Sequence, residues 1–226
     1  NGSRQLMGEW YLLSAFREFP DIPRMKACYQ EAAAWMSEPS RLFNRREPYL
    51  FGTTSMWYLF YRTPGKMMET AEDMLEVYNP LTGNHGAGAY ELYLGEALSV
   101  QGRFDESDIY AHRAALLSEQ WQNATVTYGA ALLLGINAIY QSDMISLQKA
   151  IEYLETKALA YPFLQHTAIN TQMAETVRTY LLGLMMEPDR SAAWARGAAD
   201  MLGDLTFTNF MAKTNRITDL ILKKEY

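Results

Sequence analysis

Apolar residues recur at helical spacing along nearly the whole chain, and this pattern constrains the fold more than any other feature. Met25, Tyr29, Ala32 and Met36 are one example, in which successive apolar residues lie three or four positions apart. That spacing places them on one face of an α-helix. No segment shows a sustained alternation of apolar and polar residues bounded by hairpin turns, so we expect no substantial β-sheet. The sequence therefore predicts an all-α protein.

Proline and glycine punctuation divides this pattern into separate helices joined by short breaks. The predicted helices span residues 3–19, 22–37, 52–62, 65–79, 84–101, 105–119, 122–141, 144–157, 164–184, 189–203 and 206–222. Helices of this length with short connections favour antiparallel neighbours. Apolar stripes that run to both ends indicate a piece of a longer stack of helices. We therefore expect residues 1–226 to form a single helical-repeat domain that is a fragment of a longer protein.

The clearest internal unit spans residues 89–119. It carries Gly95, and Gly102 follows seven residues later. This arrangement resembles a tetratricopeptide repeat, in which small residues let two helices approach closely and a central glycine makes the tight turn. The unit departs from that pattern at two positions. It has Ser107 at a position where the pattern has another small residue, and Ala111 where a large aromatic residue is more usual.

A weaker, degenerate copy of the same unit spans residues 128–157, with its turn at Ser142 and Asp143. One good repeat with degenerate neighbours predicts antiparallel helix pairs stacked as a tetratricopeptide-like right-handed superhelix. A compact irregular helical bundle remains the alternative at this point.

Composition excludes several classes of function. The net charge of −6 arises from 26 acidic and 20 basic residues, so the chain offers no basic surface for direct nucleic-acid binding. The longest nearly uninterrupted apolar stretch, residues 128–140, is too short to span a bilayer. A single cysteine rules out an internal disulfide and fits a reducing compartment. We therefore expect a cytoplasmic protein without membrane or direct nucleic-acid partners.

A catalytic site cannot be assembled from the sequence. The three histidines show no paired metal-ligand spacing, so no metal site is predicted. Cys28 has no histidine partner indicated by the sequence and lies on or beside an apolar helix stripe, which indicates packing. The segment at residues 63–66 ends like a phosphate-binding loop but lacks the upstream glycine and the preceding strand. We predict no enzymatic activity and no cofactor.

A basic, aromatic loop at residues 40–51 stands out in this acidic chain and leads into an aromatic helix. As a ligand or partner surface, it would use Arg41, Asn44 and Arg45 as hydrogen-bond donors and Trp57 and Tyr61 as apolar faces. In the alternative interpretation, its aromatic residues cover the ends of adjacent helices and its arginines pair with local acids. Both interpretations remain open.

A glycine-rich stretch at residues 82–88 covers the start of the helix predicted at 84–101, whose regular part is expected to begin near Ala87. Exposed N–H groups at a helix start can hold an anion or a sugar hydroxyl. The alternative is a plain connection that uses glycine for its positive φ angles. If this stretch and the basic loop border one groove, His85 joins the predicted site.

The run PSRLFNRREPYLFGTTSMWYLFYRTPGK, followed by LTGNHGAGAYELYLGEALSVQGRFDES, resembles the middle region of large bacterial LuxR-family transcriptional regulators of the maltose-activator (MalT-like) type. The resemblance covers roughly residues 8–200. In that family, a P-loop NTPase module precedes a tetratricopeptide-like sensor region, and a helix-turn-helix follows it. This chain has neither the NTPase motifs nor a recognisable DNA-reading helix, so the resemblance implies the regulatory middle piece alone.

The resemblance implies a sensor and oligomerisation region that binds a small-molecule effector or a protein or peptide partner, with self-association. The alternative is a free-standing helical-repeat adaptor for protein–protein contacts. Neither interpretation requires a cofactor.

Overall fold

The computed structural model describes residues 2–18, 21–43, 67–160 and 168–185, and all regular structure within these ranges is helical. The helices are α1 (Gly2–Arg17), α2 (Ile22–Trp35), α3 (Met67–Leu81), α4 (Ala89–Val100), α5 (Phe104–Trp121), α6 (Ala124–Tyr140), α7 (Met144–Ala160) and α8 (Ala168–Leu184). The predicted helices at 52–62, 189–203 and 206–222 lie outside the described residues. For the residues that are described, the all-α prediction is confirmed.

Local chemistry sets where these helices begin. The Asp21 carboxylate accepts a hydrogen bond from the backbone N–H of Arg24 at 3.2 Å, and Pro23 lies in the first turn of α2. Asn123 caps α6 in the same way, accepting from the backbone N–H of Val126 at 3.4 Å. These caps satisfy backbone donors that have no partner inside the helix.

Most helix boundaries differ from the sequence prediction by a few residues, and two of the differences are informative. The helix predicted at 84–101 begins at Ala89, because Gly83, Asn84 and Gly88 all have positive φ angles that a right-handed helix excludes. The helix predicted to end at residue 79 continues through Pro80. Proline has no N–H to donate to the carbonyl four residues earlier, and the helix ends one residue after it, at Leu81.

Helix α6 is the centre of the fold. Every residue from 124 to 133 is buried, and the helix contacts α4, α5, α7 and α8. A helix that is apolar on all sides needs such enclosure by neighbours. Among the described helices, none is both long and apolar enough to cross a membrane.

The same kind of turn closes α4, α5 and α6, with a residue of positive φ at Gly102, Gln122 and Ser142. Gly102 has a φ angle of 76°, and Ser142, which lies 40 positions later (142 − 102), has a φ angle of 57°. In the first turn, the Arg103 N–H donates to the Leu98 carbonyl at 3.0 Å, and the Asp143 N–H makes the equivalent bond at 2.8 Å. This bond, which spans five positions, closes a helix end in the Schellman manner.

A close contact between helices recurs with the same 40-residue offset. A Cβ atom added to Gly95 on α4 would lie 2.8 Å from Leu133 Cδ2 on α6. A Cβ atom added to Gly135 on α6 would lie 2.4 Å from Leu181 Cδ2 on α8. At each glycine, a leucine side chain therefore occupies the space that a Cβ atom would take. The leucine comes from the second helix further along the chain.

A buried polar network joins three of these helices. The Asn137 side chain, fully buried on α6, accepts from Ser99 Oγ of α4 at 2.6 Å. Its Nδ2 group donates to Ser107 Oγ at 2.8 Å and to Asp108 Oδ1 at 2.7 Å, both on α5. Ser107 Oγ in turn donates to the Gly95 carbonyl at 2.7 Å. The network fixes the relative register of α4, α5 and α6.

Replacing Gly95 with leucine should lower the free energy of unfolding by about 1–3 kcal/mol, because the larger side chain overpacks a filled contact. In addition to Leu133, the added Cβ atom would meet the Ser107 backbone carbonyl oxygen at 3.2 Å. Thermal unfolding followed by circular dichroism measures the loss. The exposed substitution Val100→Leu on the same helix is the control. An unchanged Tm for Gly95→Leu would contradict the close packing of α4.

Candidate functional site

The glycine turn, defined here as residues 82–88, connects α3 to α4. Its path uses positive φ angles at Gly83 (61°), Asn84 (63°) and Gly88 (82°). Glycine adopts such angles without steric cost, and asparagine tolerates them better than most residues. The sequence therefore encodes a sharp change of chain direction at this point.

Hydrogen bonds from both flanking sides hold the glycine turn in place. The Asn79 carbonyl accepts from the N–H of Asn84 at 2.8 Å, and the Asn79 side chain accepts from the N–H of Gly86 at 3.1 Å. From the start of α6, Asn123 Nδ2 donates to the His85 carbonyl at 2.8 Å. Asn123 thus caps α6 and anchors the turn at the same time. The glycine turn is therefore a connection between helices that hydrogen bonds hold in one conformation.

His85 points into an aromatic cluster. Its side chain is buried, and its Nδ1 atom lies 3.0 Å from the Tyr78 hydroxyl. Its ring is tilted against Phe43, with the ring centroids 5.6 Å apart. The sequence identified His85 as a binding residue at a helix start, whereas in the structure its ring packs with the aromatic residues of α3 and of the loop that follows α2.

The start of the basic loop lies next to the glycine turn. The Ser40 N–H donates to the Leu81 carbonyl at 2.7 Å, which ties the loop to the end of α3. Arg41 is exposed and pairs with the exposed Glu38 carboxylate at 3.5 Å. The other four predicted site residues lie outside the described residues: Asn44, Arg45, Trp57 and Tyr61. The shared site that includes them stays a prediction.

An open groove of about 530 Å³ lies beside the glycine turn, between α3, the start of α4 and one residue of α5. Leu75, Pro80, Ala87 and Leu117 provide its apolar lining. Two short helix segments and the turn thus form a concave surface, which is the usual form of a binding site.

Acidic side chains line the same groove. Glu72 and Glu76 come from α3, and Glu91 comes from the first turn of α4. Among the described residues that line the groove, none is basic. The carboxylates disfavour an anionic ligand at this helix start, despite the exposed N–H groups that the sequence suggested could hold one.

Tyr90 connects the two sides of the groove. Burial raises the pKa of the Tyr90 hydroxyl, and so do the negative charge of Glu72 and a hydrogen bond to the Glu72 carboxylate. The hydroxyl therefore stays protonated at neutral pH and donates to Glu72. Glu76 and Glu91 make no ion pair or hydrogen bond with another described residue. Both carboxylates are available to a ligand.

Two other kinds of site, a metal site and a reactive cysteine, can be examined in the part of the chain that the structure describes. Within that part, no three side chains of His, Cys, Asp or Glu are placed to share a metal ion. Cys28 is half-buried, and burial raises the pKa of its thiol, with further contributions from Glu18 and Glu31. The thiol is therefore protonated at neutral pH and a poor nucleophile.

Sequence reasoning missed the groove residues Glu72, Glu76, Tyr90 and Glu91. The sequence did contain one indication of an acidic surface: Glu72 and Glu76 are four positions apart and therefore share one helix face. Glu91 follows the glycine turn within one helical turn. What joins them is the packing of α3 beside α4, which spacing alone does not show.

The described residues form an all-helical fold with a fixed, acidic concave surface. No protein-family model, curated protein or solved structure matches the chain.

Proposed function

We propose that this chain is a binding scaffold made of stacked, tetratricopeptide-like helix pairs. The recurrence of a glycine–leucine contact at a 40-residue offset supports this arrangement. So do the direct contacts of α4 with α6 and of α6 with α8, which pass over the intervening helices. In a solenoid, each repeat contacts its neighbours, and the stack builds an extended binding surface.

The acidic groove is the observation that carries the binding function. It combines an apolar lining, a tyrosine with a protonated hydroxyl, and two carboxylates without described partners. It lies beside a turn that hydrogen bonds from two elements hold in place. A fixed concave surface of this kind loses little entropy when a partner binds.

The specific role that we propose is the sensor and oligomerisation region of a cytoplasmic LuxR-type, MalT-like transcriptional regulator. The sequence resemblance supports this role. The effector is a small molecule or a protein or peptide, and the groove receives it. DNA contacts and NTPase activity belong to other parts of the regulator, because a net charge of −6 gives this chain little attraction for phosphates.

Self-association is part of the proposed role. One face of helix α1 is buried against the rest of the fold. A second apolar face, formed by Leu6, Trp10 and Leu13, is exposed. Exposed apolar patches on a globular protein mark interaction surfaces. The stripe is therefore the described surface that favours association with other helices.

The alternative is a free-standing helical-repeat adaptor that binds a peptide. The two roles share the fold and the groove and differ in what surrounds this segment in the gene. Determining the complete reading frame that encodes the chain tests the regulator directly. We expect a frame several times longer, with Walker motifs upstream and a helix-turn-helix downstream. A frame of about this length would contradict the regulator and favour the adaptor.

A further inference from the structure

We infer that the groove binds an extended segment of a partner protein that carries lysine or arginine beside an apolar side chain. This inference rests on the proposed binding function and names the class of partner. The groove is defined by three carboxylates, one tyrosine and an apolar lining, all of which belong to described residues.

Charge complementarity selects a basic partner. Glu72, Glu76 and Glu91 line the groove, and no described lining residue carries a positive charge. Glu76 is exposed and Glu91 is partly exposed, so neither loses its full hydration when a cation approaches. Since neither has a described partner, an incoming ammonium or guanidinium group displaces no existing ion pair. Complementary charges of this kind set specificity and orientation at an interface.

The apolar lining selects a side chain with an aliphatic stem. Pro80 and Leu117 line the groove with accessible surface, so the methylene groups of lysine or arginine can pack on them while the charged end reaches a carboxylate. Tyr90 adds an aromatic face, which attracts a nearby cation. A hydrated metal ion would use neither feature, and no described group of side chains is placed to hold one.

The open shape selects an extended segment over a small molecule. Sites for small ligands enclose most of the ligand surface. This groove is about 530 Å³ and open to solvent, so it covers one side of a chain that lies along it. Helical-repeat surfaces of this kind commonly bind extended peptides, because each repeat contributes part of a continuous concave surface.

The test uses the 226-residue chain and a fluorescein-labelled peptide, Gly-Leu-Lys-Leu-Arg-Gly, in a fluorescence anisotropy titration. A peptide in which glutamate replaces both basic residues is the matched control. We expect the basic peptide to bind with a Kd on the order of 100 µM, and the acidic peptide not to bind. The double variant Glu76→Gln/Glu91→Gln should raise the Kd about tenfold, since each exposed pair contributes a few-fold.

The matched protein control is Glu31→Gln/Glu152→Gln, which removes two exposed carboxylates from α2 and α7. This variant has the same change in net charge, and we expect less than about a twofold change in Kd. An equal loss in both double variants would show general electrostatic attraction and overturn the inference, as would equal binding of the acidic peptide. Circular dichroism of each variant confirms that the fold is intact.

A neutral trisaccharide and spermidine, titrated in parallel, separate this inference from the proposed function. If either binds and the basic peptide does not, the groove is a small-molecule site: the inference is wrong and the proposed function stands. If none binds, the inference is also wrong, and the length of the reading frame decides the proposed function by itself.

Discussion

Replacing Gly88 with alanine lowers the free energy of unfolding by about 2–5 kcal/mol, one of the two largest effects that we expect. Gly88 has a φ angle of 82°, a conformation that costs an L-residue roughly 1–2 kcal/mol. The added Cβ atom would also lie 2.7 Å from the Ala114 backbone carbonyl oxygen and 3.1 Å from Val126 Cγ1. A backbone atom cannot move aside as a flexible side chain does, so overpacking adds about 1–3 kcal/mol.

Gly83→Ala is the matched control, because the same turn supplies a second glycine in the same conformation. Gly83 has a φ angle of 61°, and the nearest atom to an added Cβ is Pro39 Cβ at 4.0 Å. We expect the backbone cost alone, about 1–2 kcal/mol. Urea denaturation of both variants measures the difference. Equal losses would contradict the close packing of the glycine turn against α5.

Replacing Asn137 with alanine is expected to cost about 2–4 kcal/mol. The substitution removes the amide donor to the fully buried Ser107 hydroxyl, and it also removes the partners of the half-buried Ser99 and Asp108. A buried polar group that loses its partner retains the full cost of desolvation, and members of a network depend on one another. The effect should be a lower denaturant midpoint with an unchanged slope.

Gln148→Ala is the control for this second prediction. Its amide donates to Glu152 at 2.9 Å in an exposed position on α7. We expect a change within about 0.5 kcal/mol, as for most surface substitutions. If Asn137→Ala were as mild as Gln148→Ala, the network would not hold α4, α5 and α6 in register.

Helix positions could be predicted because their causes are local. Asp21 and Pro23 mark the start of α2 within three residues, and the structure begins that helix at Ile22. The start of α4 was placed too early because periodicity does not report the φ angles of Asn84 and Gly88. The glycine turn is fixed by bonds from distant residues such as Asn123, which no local pattern contains.

The turn that ends α6 was only weakly predicted for a physical reason. Gly102 marks the first turn clearly, but at the equivalent position the chain has Ser142, which adopts the same left-handed conformation without being glycine. The two regions share the geometry of the turn and the close contacts of Gly95 and Gly135. Their surrounding side chains differ. The sequence therefore indicates the turn at Gly102 more strongly than the turn at Ser142.

The candidate site was the least predictable part. Its carboxylates come from two helices, and Leu117 comes from a third, so the groove exists only after α3, α4 and α5 have packed. His85 was identified because glycines surround it, yet its direction depends on Tyr78 and Phe43. Residue type indicated that this region is unusual, and tertiary packing decided which side chains face the groove.

Stacking of helix pairs is the central claim, because a stack builds a continuous binding surface and a compact bundle does not. Distances between spin labels test it most directly. Val100, Tyr140 and Leu184 are the last residues of α4, α6 and α8, and all three are exposed. Cysteines at pairs of these positions, in a Cys28→Ala background, can be labelled and measured by pulsed electron paramagnetic resonance. Neighbouring helix axes lie about 8–10 Å apart, so the 100–184 distance should exceed the 100–140 distance by about 5–10 Å. Equal distances, or a shorter 100–184 distance, would place α8 back against α4 and contradict the stack.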